Sequence, residues 1–125
     1  GAPVEAEGAG SETVLVVEDD AAVRSVVMRV LERRGFAVLE APDGPEALDV
    51  LQHIHGGIDL LIADAVMPEM PGCQLIETAR SRYPGLRALL ISGYMADDLG
   101  STAPYLAKPF TPSQLVRSVR AALDH

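Results

Sequence analysis

Long apolar runs are missing from this sequence. No stretch approaches the ~18 residues of a membrane-spanning helix, and no signal-peptide pattern opens the chain. Cysteine is nearly absent: Cys73 stands alone, which excludes an intrachain disulfide and suits a reducing compartment. The expectation is a cytoplasmic domain without membrane contact. Positive charge is scarce as well. Ten Lys and Arg face 18 Asp and Glu, a net charge of −8, whereas nucleic-acid binders are normally basic, so no nucleic-acid partner is expected. Lysine is almost missing: Lys108 is the only one, and every other strong base is arginine. No Met opens the chain, so Gly1 reads as a cut point or a cloning remnant. What remains is 125 residues, 48% of them apolar, enough for one globular domain with its own core.

Residues 1–11, GAPVEAEGAGS, are small, Gly-rich and weakly acidic, and read as a flexible tail or linker ahead of a domain over 12–125. Beyond them, strand-sized apolar runs recur at Val14–Val17, Phe36–Leu39, Ile58–Ala63, Ala88–Ile91 and, weakly, Tyr105–Ala107. Helical patterns lie between. Val23, Val26, Val27, Val30 and Leu31 fall on one helix face, with Gly35 where a C-terminal cap belongs. Ala47, Leu48, Leu51 and Ile54 form a second stripe, and Leu75, Ile76 and Ala79 a third. Leu115, Val116, Val119, Ala122 and Leu123 form the last, opened by Thr111, Pro112 and Gln114 as N-cap, first-turn proline and capping-box partner. A short, weak helix is expected over Ala96–Ala103. Strand–helix alternation predicts an α/β fold, a doubly wound five-stranded parallel sheet with helices on both faces.

In such a sheet, ligands bind beyond the carboxyl ends of the strands, where strand order reverses. The residues at those ends are Glu18 and Asp19 after the first run, Asp64 after the third, Ser92 after the fourth and Lys108 after the fifth. The second run ends at Glu40 with nothing distinctive, which suits a sheet edge. Three carboxylates, a hydroxyl and an ammonium suit a hard cation and a phosphoryl group. Mg²⁺ takes oxygen ligands, a carboxylate can accept phosphate as an aspartyl phosphate, and an ammonium can hold a phosphoryl oxygen. Crowding Glu18 against Asp19 needs a reason. Two carboxylates about 5 Å apart repel by roughly 3 kcal/mol at an effective dielectric near 20, set against a domain stability of about 5–15 kcal/mol.

The segments VLVVEDD, IADAVMPEMPG, ISGY and YLAKPF, in this order and spacing, resemble the receiver domain of two-component response regulators over residues 12–124. The resemblance implies a flavodoxin-like strand order, 2-1-3-4-5. It implies Asp64 as phosphoacceptor, with Glu18, Asp19, Asp64 and the backbone carbonyl of Val66 as Mg²⁺ ligands. Ser92 becomes the switch hydroxyl, Lys108 the phosphate-binding lysine, Tyr105 the rotating aromatic, and Lys108–Pro109 a cis peptide. The acidic pair opens with Glu18 where Asp is commoner, one methylene longer. The implied partner is a histidine kinase or histidine phosphotransfer protein. The chain reads either as a single-domain regulator or as a receiver cut from a larger chain; the Gly/Ala/Glu-rich lead-in resembles the linker before the C-terminal receiver of a hybrid histidine kinase, which favours the second and a covalently linked kinase module in the parent chain.

Plainer readings stand beside these. Asp20 is expected as the N-cap of a helix starting at Ala21, Asp43–Gly44 as a turn and helix start, and Arg24 as an exposed helix arginine in preference to one lying near the acids. His53, His55 and His125 read as solvated, and Cys73 as a small helix residue. Two other functional classes stay open: a receiver-fold adaptor that never takes phosphate, and a haloacid dehalogenase-like phosphatase. The second would want an Asp two residues after its nucleophile, where this chain has Val66.

Overall fold

The computed structural model describes residues 11–54, 57–93 and 103–124. In chain order the elements are β1 (Thr13–Val17), α1 (Ala21–Arg33), β2 (Ala37–Ala41), α2 (Gly44–Ile54), β3 (Leu60–Asp64), α3 (Gly72–Arg82), β4 (Arg87–Ser92), β5 (Tyr105–Ala107) and α4 (Pro112–Leu123). The strands form one parallel sheet in the order β2-β1-β3-β4-β5, as the resemblance implied. The bounds of β5 match the expected run, while those of β1–β4 shift by one or two residues, so Asp64 and Ser92 become the last residues of their strands. The expected helix over Ala96–Ala103, apart from Ala103, and all of the tail except Ser11 lie outside the described residues.

Helices cover both faces, which divides the core in two. On one side, Leu15, Leu61, Ala63 and Leu90 pack with Ala47 and Leu51 of α2 and with Leu75, Ile76 and Ala79 of α3. On the other, Val14, Val16, Leu60, Ile62 and Leu89 pack with Val27 and Leu31 of α1 and with Leu115, Val119 and Leu123 of α4. Neighbouring residues of a strand point to opposite faces, so a central strand covered on both sides must be apolar throughout. That is the case for β3 up to its last residue: Leu60–Ala63 are apolar, Asp64 ends the strand, and all five residues are buried.

Local chemistry fixes the helix ends. Asp20 caps α1 by accepting hydrogen bonds from the Ala22 and Val23 amides. At its other end Gly35 takes φ 91°, its amide donates to the Glu32 carbonyl and the Phe36 amide to the Leu31 carbonyl. This left-handed stop favours glycine. In α4 the expected capping box is complete, Thr111 and Gln114 each accepting from the other's amide. Two expected core residues lie outside the core: Val26 is 58% and Ile54 39% exposed. The buried line of α1 runs through Val27 and Leu31, and Val26 sits about 100° further round the helix, toward solvent.

Candidate functional site

Strand register brings distant residues together. In the sheet, Val17 lies beside Ala63, Asp64 beside Ile91, and Ser92 beside Ala107. Glu18 therefore follows β1 next to Asp64, and Lys108 follows β5 one position beyond the partner of Ser92. With strands about 4.8 Å apart, four strand ends open onto one shallow cup. It lies at the point where the chain's strand order reverses, between β1 and β3.

The cup is an ion-pair cluster. The Lys108 Nζ donates to Asp64 Oδ2 at 2.8 Å and lies 3.8 Å from Glu18 Oε1. The Val66 amide donates to Asp64 Oδ1 at 3.1 Å, and the Asp20 amide to Glu18 Oε2 at 3.1 Å. Glu18 and Asp64 are each only 6% exposed, while Asp19 is exposed. Burial, reinforced by the neighbouring Asp64, pushes the Glu18 carboxyl up to about 8. Burial works against the Lys108 ammonium, but the hydrogen bond and charge of Asp64, together with Glu18 and Asp19, outweigh it and hold Lys108 above the usual lysine range.

Among the described residues, carboxylate oxygens of Glu18, Asp19 and Asp64 lie within 4.8 Å of one another. Octahedral Mg²⁺ holds oxygens at about 2.1 Å, which spaces ligands about 3–4 Å apart. A small closure of the three side chains thus fits the ion, and the all-oxygen donor set fits its chemistry. Ser92 is fully buried at the end of β4, and its carbonyl accepts from the Lys108 amide at 2.8 Å. The Val66 side chain is 59% exposed beside the cup. Tyr105 opens β5 half-buried against the α2/α3 side of the core. Lys108–Pro109 is cis, as the resemblance implied.

Two residues at the cup escaped the sequence reading. Arg24 is not an exposed helix arginine. Its side chain is 16% exposed, Nη1 donates to the Glu18 carbonyl at 2.6 Å, and Nε donates to Glu40 Oε1 at 2.7 Å. The reason is tertiary: β2 pairs alongside β1 and sets Glu40 within reach of α1. The only signal in the sequence was an arginine one turn into the helix that follows the acids. Gly72, the first residue of α3, presses against the Asp64 backbone, where an added Cβ would overlap the Asp64 carbonyl and approach Leu90 Cδ1 to 2.9 Å. Its amide donates to the Ala65 carbonyl. The remaining plain readings agree with the structure for His53, exposed near the end of α2, and for Cys73, half-buried in α3. His55 and His125 lie outside the described residues.

A 2-1-3-4-5 parallel sheet with clustered carboxylates and a lysine at its carboxyl edge is the architecture of a receiver domain. The family "Response regulator receiver domain" matches residues 14–120, and the chain belongs to that family. It is 39% identical over 121 residues to the sensor kinase CckA of Brucella abortus, covering 92% of this chain and 13% of that protein. It is 33% identical to the response regulator receiver protein CpdR of the same organism, covering 88% of this chain and 95% of that one. Among solved structures, the receiver domain of the hybrid histidine kinase CckA superposes with a TM-score of 0.78 at 40% identity, covering 89% and 98% of the two chains. The Vibrio cholerae chemotaxis protein CheY4 does so with a TM-score of 0.80 at 28% identity, covering 91% and 100%. The chain spans 13% of the length of the sensor kinase and about half that of several matched transcriptional regulators. It is a signalling domain of two-component systems, and no helix among the described residues is long and apolar enough to cross a membrane.

Proposed function

We propose that this domain takes a phosphoryl group from a phosphohistidine onto Asp64 and passes the signal on as a change of conformation. The observation that carries this reading is the 2.8 Å contact between the Lys108 ammonium and the Asp64 carboxylate, at the floor of an acidic cup. Glu18, Asp19, Asp64 and the Val66 backbone carbonyl are the residues that would hold Mg²⁺. The bound ion would supply positive charge to offset what gathers on the transferring group.

An Asp64 oxygen attacks the phosphorus of the phosphohistidine. An O–P bond forms as the P–N bond breaks, and the imidazole nitrogen leaves with the electron pair. The product carries about −1.5 to −2 charge where the carboxylate carried −1. Lys108 exchanges its carboxylate contact for a phosphoryl oxygen, and the Ser92 hydroxyl donates to another. The segment after β4 follows Ser92, Tyr105 turns inward, and a pre-existing equilibrium shifts. The partner is a histidine kinase or a histidine phosphotransfer protein. A kinase module in the same parent chain is favoured by the likeness to the CckA receiver. The domain works in the cytoplasm, without nucleic acid or membrane contact of its own and without a separate turnover substrate.

Incubation with a small phosphodonor and Mg²⁺, read by intact mass, tests this. The expected result is one added phosphoryl group on the wild type and none on Asp64→Asn. Turnover of a phosphoester without accumulation would instead identify a phosphatase, and inertness toward the donor a phosphate-independent adaptor.

A further inference from the structure

Asp19 is the exposed member of the acidic cluster, and its carboxylate leaves the backbone between two pinned peptides. On its C-terminal side, the Asp20 amide is held by Glu18 Oε2 at 3.1 Å, and the Asp20 side chain caps α1 through the Ala22 and Val23 amides. On its N-terminal side, the Glu18 carbonyl shares one rigid peptide plane with the Asp19 amide. That carbonyl receives the Arg24 Nη1 at 2.6 Å. We infer that Arg24 is a positioning residue for the cation cradle, fixing through the Glu18 carbonyl the peptide from which the Asp19 carboxylate projects. The inference rests on the Mg²⁺-dependent reading of the cup given above.

Three observations support the assignment. The contact is charge-assisted and short, and such bonds constrain direction more tightly than neutral ones. The guanidinium is mostly buried, so its orientation is set by packing and by two partners at once, the Glu18 carbonyl and the Glu40 carboxylate. Its charge is also offset. Glu40, at 2.7 Å from Nε, neutralises the guanidinium, so a cation placed beside Glu18 and Asp19 does not face an uncompensated positive neighbour. The clamp draws on three elements: α1 supplies the arginine, the end of β1 the carbonyl and β2 the counter-charge. A lysine could reach one partner but not fork to both.

The test is Mg²⁺ affinity, measured by calorimetric titration on the whole chain, alongside the melting temperature without metal. Groups that orient metal ligands from outside the coordination sphere typically change affinity 10–100-fold when lost. Arg24→Ala should weaken Mg²⁺ binding at least about tenfold, Arg24→Lys should restore part of the loss, and Glu40→Gln should weaken binding less than Arg24→Ala. An arginine that merely stabilised the fold would lower the metal-free melting temperature and leave the affinity of the folded protein unchanged. If Arg24→Ala does not fold, Arg24→Lys and Glu40→Gln carry the comparison, and both matching the wild type overturns the proposal. Wild-type Mg²⁺ binding with Arg24→Ala within twofold of it overturns the positioning role alone. A wild type that binds no Mg²⁺ overturns this role together with the reading it rests on.

Discussion

Glu18 is the residue at which structure and charge conflict most sharply. A carboxyl buried beside Asp64 holds its proton to about pH 8, whereas in the unfolded chain it titrates near 4.5. Between those values the folded state binds more protons than the unfolded state, so stability falls as pH rises. The metal-free domain should therefore lose melting temperature between about pH 5 and pH 8, and Glu18→Gln should flatten that slope. A cation held by Glu18 would reverse the balance, because it would bind the ionised carboxylate and expel the proton. With saturating Mg²⁺ the wild-type decline over the same window should shrink, which calorimetric scans at several pH values will show. Lys108 acts in the same cluster: Lys108→Met leaves Asp64 and Glu18 without their cation and should lower stability more at pH 8 than at pH 6.

The secondary elements carry the site, and their ends matter more than their middles. Gly72 is the clearest case. The first turn of α3 lies so close to the Asp64 backbone that even a methyl group would overlap it. Gly72→Ala should cost about 1–3 kcal/mol as overpacking and should impair phosphate uptake by displacing the strand end that bears Asp64. Far from the site, Thr111→Ala removes the α4 capping box and should cost about 1 kcal/mol while leaving phosphate uptake intact. Chemical denaturation combined with intact mass separates the two. At this scale most of the fold was legible in the sequence. Apolar runs marked the five strands, and Asp20, Gly35 and Thr111 punctuated the helices. The strand limits were less legible, because Asp64 and Ser92 are polar residues that end β3 and β4, where an apolar run does not mark them. The exposure of Val26 was not legible either. A stripe of valines shows that a helix has an apolar face but not how far round the neighbouring sheet reaches.

For the molecule as a whole, function follows from convergence. Glu18, Asp64, Ser92 and Lys108 lie up to 90 positions apart in the chain and meet because parallel strands put all their carboxyl ends on one edge. That meeting could be read from sequence because the fold places strand ends predictably and because each end carried chemistry that its neighbours lacked. Arg24 and Gly72 could not be read the same way. Their roles depend on which backbone atoms approach them, and an approach between β2, β1 and α1 leaves no local pattern. Crowded carboxylates also predict a response of the whole domain to cations. A ligand present at 100 times its dissociation constant stabilises by about 2.7 kcal/mol, so millimolar Mg²⁺ should raise the melting temperature, and Asp19→Asn should lose most of that gain.

The most direct test asks where phosphorus ends up. Wild-type protein treated with a small phosphodonor and Mg²⁺, then reduced with borohydride, converts an aspartyl phosphate to homoserine, which tandem mass spectrometry assigns to one position. Homoserine at position 64 is the predicted result. Homoserine at another aspartate, or none after full exposure to the donor, would contradict the account.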